Sequence, residues 1–172
     1  ISLNNLGMSY LLLSDFVKAR SYFERSLVLR REVKDQRGEG TTLNNLGNSI
    51  MRAGDLANGI LFIEQGLALR RSIGERAGEA ISLRNLGTAY WQNGEKARSA
   101  DSLLAANQLA RELGDRRVEA DSFYWLAIVE QDRGEIDKAI LNLESGLRLI
   151  EQIRGELVNP ELRTAYFSTV QD

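Results

Sequence analysis

The sequence predicts an all-α fold, a right-handed superhelical solenoid built from antiparallel helix pairs. Its 172 residues include a single proline, 43% are hydrophobic and 27% are charged, a composition typical of an ordered, strongly helical chain. The second observation is a set of landmarks that recur every 40 residues. Because self-similarity at such a period indicates a repeat architecture, we expect a stack of similar helical units.

Three landmarks share this register. The first is an Asn-Leu-Gly triplet at 5–7, 45–47 and 85–87, weakened to Trp-Leu-Ala at 125–127. The second is a stretch at 27–31, 67–71 and 107–111 that ends in arginine. The third is a turn whose last residue is acidic, at 14–15, 54–55, 94–95 and 134–135. The predicted units span 1–37 (truncated at its N-terminus), 38–77, 78–117 and 118–157, and 158–172 starts a capping or following helix.

The first helix of each unit has one apolar face. In unit one Leu3, Leu6, Gly7 and Tyr10 follow the i, i+3, i+4, i+7 spacing of a single buried stripe. A glycine in the middle of a helix costs about 1 kcal/mol relative to alanine. Its recurrence at the same place in units two and three therefore predicts a close approach of the partner helix.

The second helix of each unit supplies the opposing face. Unit three departs from the pattern, since Lys96, Ser99 and Asn107 stand where unit one has Phe16, Ala19 and Leu27, so its second helix is the least hydrophobic. In most turns a glycine can end one helix in the left-handed conformation, and the acidic residue after it favours the N-terminus of the next. Such short connections predict antiparallel helices and stacked units.

Two residue types are missing, which narrows the chemistry. The chain contains no His and no Cys, so it lacks Ser-His and Cys-His relays, disulfides and the usual zinc ligands. We therefore expect no enzyme activity, no catalytic residues, no cofactor and no metal. The 22 basic and 24 acidic residues are interspersed, unlike a nucleic-acid-binding surface. No apolar run approaches the ~20 residues that span a bilayer, so a cytoplasmic protein without membrane contact is expected.

The arrangement of small and aromatic residues in the units resembles the tetratricopeptide repeat, whose usual period is 34 residues. Unit one carries the pattern as Leu6, Gly7, Tyr10, Ala19 and Phe23. The usual closing proline is missing and the second helix continues, which is similar to the longer repeats of kinesin light chains and bacterial signalling proteins. The resemblance implies a non-catalytic scaffold that binds a peptide or a partner segment in its concave groove.

The C-terminal tail suggests a different context. Residues 160–167, Pro-Glu-Leu-Arg-Thr-Ala-Tyr-Phe, follow Asn159, a predicted N-cap, and are similar to the junction before CHAT domains. These caspase-like peptidase domains follow tetratricopeptide arrays, so the alternative function is a regulatory or sensor arm of a larger peptidase. Since the chain lacks obvious polar caps, end-to-end self-association is a third alternative.

In tetratricopeptide arrays the first helices line the concave face, which implies the candidate partner-binding residues. They are Asn4, Asn5, Asn44, Asn45, Asn48, Arg52, Arg84, Asn85, Thr88, Trp91, Tyr124 and Gln131. Of these, we expect Asn44, Asn48 and Arg84 to point most directly into the groove, and only Arg52 and Arg84 are placed to bind a C-terminal carboxylate.

Two subsets of these residues have a second interpretation. The amides of Asn5, Asn45 and Asn85 form a ladder that can hold the main chain of an extended peptide, or each can bond across to the next unit. The aromatic residues Trp91, Tyr124 and Trp125 can form an anchor site, or can fill space between helices. The arginine pairs at 30–31 and 70–71 are expected to face solvent.

Overall fold

A computed structural model describes residues 2–158 of the chain, and the regular structure in these residues is helical throughout. Its helices are α1 (Leu3–Leu12), α2 (Phe16–Glu32), α3 (Gln36–Arg52), α4 (Leu56–Ser72), α5 (Arg76–Gln92), α6 (Lys96–Leu113), α7 (Arg116–Asp132) and α8 (Ile136–Val158). Consecutive helices pair, which confirms the all-α helical repeat solenoid. The predicted unit limits stay a prediction, and the helix and CHAT-like junction predicted within 159–172 lie outside the described residues.

The turns use the polar chemistry that the sequence predicts. Asp55, for example, accepts a hydrogen bond from the backbone N–H of Asn58 and so caps the N-terminus of α4. The residue before it, Gly54, has a φ of 101°, a conformation that is open to glycine and strained for most other residues. In the first two turns Ser14 and Lys34 adopt the same left-handed conformation without being glycine.

The recurring glycine of the first helix lies against the second helix of its own unit, as predicted. A Cβ atom placed on Gly47 would lie 2.6 Å from the carbonyl oxygen of Gly59 on α4 and 2.6 Å from the Ile63 side chain. At Gly87 the same atom would lie 2.4 Å from the Leu103 side chain. All three distances are shorter than van der Waals contact. With a larger residue at either glycine, the two helices of that unit could not approach each other as closely.

The stack has an inner and an outer side. The backbones of neighbouring first helices approach each other closely, whereas the backbones of neighbouring second helices lie further apart within residues 2–158. The first helices α1, α3, α5 and α7 therefore lie closer together and line the concave side. The second helices α2, α4, α6 and α8 lie on the convex side. None of the helices in this range is long and apolar enough to cross a membrane.

One apolar cluster occupies each junction between neighbouring units, centred on the fully buried Phe23, Ile63 and Leu103 in turn. The position that corresponds to these three residues on α8 is Leu143, which is 42% exposed. It belongs to an apolar stripe of α8 that no described residue covers: Ile136, Ile140, Leu143, Leu147 and Ile150. The spacing of this stripe is that of one helical face, the face that the next unit covers in the earlier repeats.

Arg70 contradicts the prediction that both arginine pairs face solvent. Its side chain is only 4% exposed and its guanidinium donates to the carbonyl oxygen of Gly78 (2.6 Å), to Ser82 Oγ (2.9 Å) and to Thr41 Oγ1 (3.2 Å). Its Nε lies 3.2 Å from Glu75 Oε2 in an ion pair that is not aligned as a hydrogen bond. Burial lowers the pKa of Arg70, and the nearby Glu75 charge opposes this change.

The neighbouring arginines are closer to expectation. Arg31 and Arg71 are exposed and pair with Glu39 and Glu79. Arg30 is half-buried and pairs with Asp35 at the next turn. Arg30 and Arg70 are less exposed than Arg31 and Arg71 because they lie on the side of the helix that meets the next unit.

The polar residues of α6 are accommodated by hydrogen bonds. Ser99 is fully buried and donates through Oγ to the carbonyl oxygen of Gly87, at 2.7 Å. Asn107 is buried and donates to the carbonyl oxygen of Glu119 in the next unit, at 3.2 Å. Since a buried polar group is costly only when it has no partner, α6 packs into the stack despite its low hydrophobicity.

Candidate functional site on the concave face

The concave face is formed by one stripe of side chains from each first helix. On α3 the stripe includes Asn48, on α5 Thr88, and on α7 Tyr124, each exposed or half-buried. Of the remaining predicted groove residues, Asn5, Arg52 and Gln131 are exposed, and Asn4, Asn45, Arg84 and Trp91 are half-buried. Ten of the twelve candidates thus keep some accessible surface on this side of the stack.

The asparagine ladder is not a uniform row of free amides. Asn5 is exposed, Asn45 is half-buried and Asn85 is only 9% exposed. The side chain of Asn45 donates to Asn4 Oδ1 in the preceding unit, at 3.2 Å, and Thr42 Oγ1 lies 3.4 Å from the same oxygen. For Asn4 and Asn45 the structure therefore favours the second interpretation, a hydrogen bond across neighbouring units.

Asn44 contradicts the prediction that it points directly into the groove. It is 4% exposed, and its Oδ1 is buried without a hydrogen-bond partner among the described residues. The physical reason is the contact between adjacent first helices, which covers short side chains at the flanks of the stripe. The same crowding accounts for the burial of Asn85, so neither amide offers a surface to a ligand.

Arg52 is engaged within the stack although it is exposed. Its Nη1 donates to the carbonyl oxygen of Leu11, at 3.2 Å, and its guanidinium lies 5.3 Å from the centre of the Phe16 ring. The bond to Leu11 places a positive charge at the C-terminus of α1, where the helix dipole favours it. Arg52 therefore ties α3 to the end of α1, which leaves fewer of its donors for a ligand.

Four candidates keep their amide or hydroxyl groups free. The side chains of Asn5, Asn48, Tyr124 and Gln131 make no hydrogen bond with any other described residue, and Tyr124 is 53% exposed. Thr88 differs, because its hydroxyl donates to the carbonyl oxygen of Arg84, at 3.2 Å. Free amide and hydroxyl groups on a concave surface can bond to the main chain or side chains of a bound segment.

The aromatic residues form one continuous cluster at the end of the groove. The rings of Trp91 and Trp125 are 5.5 Å apart, and Tyr124 meets Trp125 edge to face at 5.5 Å. Trp91 Nε1 donates to Asp132 Oδ2 at 2.6 Å, and both tryptophans pack partly against the cluster around Leu103. The tryptophans thus fill space between helices, while Tyr124 presents the accessible ring.

Arg84 lines a cavity of about 580 Å³ beside the N-terminal halves of α5 and α7. Its side chain is 27% exposed, and its Nη1 lies 3.7 Å from Asp121 Oδ2, which is beyond hydrogen-bond distance. The buried Nε has no hydrogen-bond partner among the described residues. A guanidinium offers five donors, so Arg84 can bind acceptors on a ligand.

Three further residues line this cavity and are absent from the sequence prediction. Arg117 lies one helical turn before Asp121 on the same stripe of α7, and Ile150 and Ile153 extend from the last third of α8. The sequence pattern that could have indicated Arg117 is its i, i+4 spacing from Asp121. The pattern that could have indicated the isoleucines is the apolar period of α8, which continues beyond Leu147. Because the groove prediction used first helices alone, it did not include the two isoleucines of α8.

Comparison with known proteins identifies the repeat. The sequence profile described as tetratricopeptide repeat matches residues 38–112, and a second profile of the same description matches residues 1–33. Together these matches cover more than half of the chain. Among curated proteins, none has a sequence that matches this chain significantly.

Several solved structures share the fold. BtubC (BKLC) from P. vanneervenii superposes with a TM-score of 0.78 at 19% identity, covering 92% of this chain and 65% of that chain. The apo form of RapI gives 0.81 at 13% identity, covering 93% and 58%. A signal transduction ATPase with numerous domains (STAND), with a tetratricopeptide repeat sensor, from Pyrococcus horikoshii gives 0.76 at 18% identity, covering 89% and 24%. The chain thus spans less than two thirds of the length of each structure.

Proposed function

Because this chain belongs to the tetratricopeptide repeat family, we propose that it binds an extended segment of a partner protein along its concave face, without catalysing a reaction. Repeats of this family serve generally as protein-interaction scaffolds, and stacked units form extended concave binding surfaces. Beyond this general role, we propose where the ligand binds, on the concave face, and which form it has, an extended segment.

The observation that carries this proposal is a set of uncommitted polar groups on the concave side. Asn48, Arg84, Tyr124 and Gln131 come from three successive first helices, and their side chains make no hydrogen bond with the described residues. An extended segment has a free N–H and C=O at every residue, so it suits a surface that offers amide, guanidinium and phenol groups in succession. Tyr124 and Arg84 are also residue types that dominate binding energy at protein interfaces.

The test begins with a displayed library of random dodecapeptides selected on the native chain. Affinities of the enriched peptides are measured by fluorescence anisotropy on the native chain and on the triple variant Asn48→Ala, Arg84→Ala, Tyr124→Ala. We expect at least a tenfold loss of affinity, which corresponds to about 1.4 kcal/mol. Circular dichroism should show unchanged helicity, because these side chains are not part of the buried core.

A matched variant on the convex side serves as the control. Leu61→Ala, Gln65→Ala and Arg20→Ala remove three exposed side chains of α4 and α2 and are expected to leave peptide affinity unchanged. Equal affinities for the native chain and the concave variant would contradict the groove assignment. Failure of the library to yield any binder would contradict binding of extended segments as such.

A second candidate function is a sensor arm within a larger protein. It is supported by the fold shared with the STAND protein, whose name includes a tetratricopeptide repeat sensor, and by the CHAT-like junction that the sequence predicts at 160–167. The coding sequence that follows Asp172 tests the CHAT form of this idea. A caspase-like domain with His and Cys is expected there, and its absence would rule out that form.

A further inference from the structure

A second cavity, of about 520 Å³, opens on the convex side between α4 and α6. Its floor is apolar and comes from Leu67 on α4 and from Leu83 and Leu86 on α5. Ser102 and Ala105 of α6 form the opposite wall. Because the backbones of α4 and α6 lie apart, bridged at one rim by the Arg98–Glu64 ion pair, α5 is reached from the convex surface through this opening, which we name the α4–α6 cleft.

A comparison of residues 40 positions apart explains why the cleft is present at this junction. The residues equivalent to its floor in the preceding junction are Leu27, Leu43 and Leu46, and the ring of Phe62 packs against the apolar cluster to which they belong. The residue equivalent to Phe62 in the next unit is Ser102. The cleft is therefore the space that an aromatic ring fills in the preceding junction of the same protein.

Two more substitutions widen the opening. Ala105 stands where the second unit has Gln65, and Ala68 stands where the first unit has Val28. In the junction that follows, the floor position of Leu83 is taken by Phe123, whose larger ring is half-buried against the neighbouring cluster. The loss of the ring without a compensating aromatic residue on the floor is thus specific to the junction between the second and third units.

We propose that the α4–α6 cleft is a second docking site, at which a partner protein inserts an aromatic side chain in the place that Phe62 occupies one unit earlier. The floor has leucine at three positions whose equivalents belong to the cluster that Phe62 packs against. Aromatic side chains that fill apolar pockets carry much of the energy of protein interfaces. This site lies on the opposite side of the stack from the concave groove and is independent of it.

The rim of the cleft is rigid and polar. The Tyr90 hydroxyl donates to Glu64 Oε1 at 2.5 Å, and Arg98 Nη2 donates to the Tyr90 oxygen at 2.6 Å. The Arg98 guanidinium also lies 3.9 Å from the centre of the Tyr90 ring. Burial and the hydrogen bond to Glu64 raise the pKa of Tyr90 well above its ordinary value, so the hydroxyl remains a hydrogen-bond donor at one end of the cleft.

The opposite rim carries an unpaired charge. Asp101 is exposed and makes no ion pair within residues 2–158, whereas Arg71 and Arg98 at the rim are paired with Glu79 and Glu64. The charge left available at the opening is therefore negative. It favours a partner in which a lysine or arginine accompanies the aromatic side chain.

The first experiment uses N-acetyl-L-phenylalanine amide as the probe, with the leucine and alanine amides for comparison. Methyl NMR spectra of Leu67, Leu83 and Leu86 are recorded as each amide is added. We expect saturable ring-current shifts with the phenylalanine amide in the millimolar range, and a response at least tenfold weaker with the alanine amide. Ser102→Phe should abolish the response, because its own ring fills the cleft.

Two variants make this result interpretable. Ser21→Phe places the same new ring on the exposed surface of α2 and should leave the response to the probe unchanged. Ala105→Met narrows the cleft by a smaller change, and it replaces Ser102→Phe if that variant does not fold. Ser102→Phe itself should raise the midpoint of thermal unfolding, since its ring would pack as Phe62 does.

The second experiment tests whether the occupant belongs to a protein. A displayed library of random dodecapeptides is selected on the native chain and counter-selected on Ser102→Phe. We expect the surviving peptides to contain an aromatic residue, to be enriched in Lys or Arg, and to lose at least fivefold in affinity with Asp101→Asn at low salt. Survivors without an aromatic residue, or no survivors at all, would overturn the proposal. So would a lack of any methyl response to the phenylalanine amide.

Discussion

At the scale of single residues, Arg70 connects three helices through one buried guanidinium. Its hydrogen bonds reach Thr41 on α3 and Gly78 and Ser82 on α5, while its stem belongs to α4. Glu75, which pairs with it, also caps α5 by accepting from the backbone N–H of Gly78. The junction between the second and third units therefore depends on a charge that has little contact with water.

Replacement of Arg70 by methionine should destabilise the protein strongly. The change keeps an unbranched apolar stem, but it removes the guanidinium beside the Glu75 carboxylate and the donor that reaches Gly78, Ser82 and Thr41. Breaking one side of a buried ion pair costs about 3 kcal/mol or more. Urea unfolding monitored by circular dichroism measures this loss.

The matched control is Arg71→Met on the same helix. Arg71 forms an ion pair with Glu79 but its side chain is 55% exposed, and exposed pairs contribute about 1 kcal/mol at most. A similar loss of stability for the two variants would show that the buried hydrogen bonds of Arg70 are not important.

At the scale of helices, the contact between α3 and α4 depends on two glycines that face each other. A Cβ on Gly47 would meet the carbonyl oxygen of Gly59, and a Cβ on Gly59 would meet that of Gly47 at 2.7 Å. Backbone atoms cannot move aside as the end of a flexible side chain can. We expect Gly47→Ala to lower the free energy of unfolding by about 1–3 kcal/mol, because the helices must separate.

Gly155→Ala in α8 is the control for this prediction. Nothing lies within 4 Å of a Cβ placed on Gly155, so the new methyl group causes no clash, and alanine favours the helix by up to about 1 kcal/mol. Opposite signs for the two variants in thermal unfolding are expected. Equal stabilisation by both would mean that the α3–α4 contact adapts without cost.

At the scale of the whole molecule, the apolar stripe of α8 leaves hydrophobic side chains exposed at one end of the stack. Its five side chains are 42–57% exposed, and they hold the positions that the next unit covers elsewhere in the array. Contiguous exposed apolar surface favours association. We expect the chain to form larger species as its concentration rises in analytical ultracentrifugation, and Leu143→Gln with Leu147→Gln to suppress them.

The exposed valines of α2 provide a comparison. Val17 and Val28 are 82% and 56% exposed and lie outside the α8 stripe, so Val17→Gln with Val28→Gln should leave association unchanged. A chain that stays monomeric at all concentrations with α8 intact would contradict end-to-end association. Equal suppression by both double variants would point to association without a defined surface.

The sequence alone was sufficient for the local structure and the repeat. The 40-residue register, the glycine at positions 47 and 87, and the acidic caps such as Asp55 predicted helix pairs, their close approach and their turns. These features depend on residues near one another in the chain, and a period of 3.6 assigns each side chain to a helical face. The apolar stripe of α8 is likewise visible in the sequence, as apolar residues at helical spacing.

Only the tertiary structure decided which members of a face remain accessible. Asn44 and Asn48 share a stripe, yet the first is buried and the second keeps a free amide, and Arg70 is buried beside the exposed Arg71. Both outcomes depend on how closely the next unit approaches, which is a distance between helices and not a property of either helix. Periodicity gives the direction of a side chain. The packing of neighbouring units determines whether solvent or a ligand can reach it.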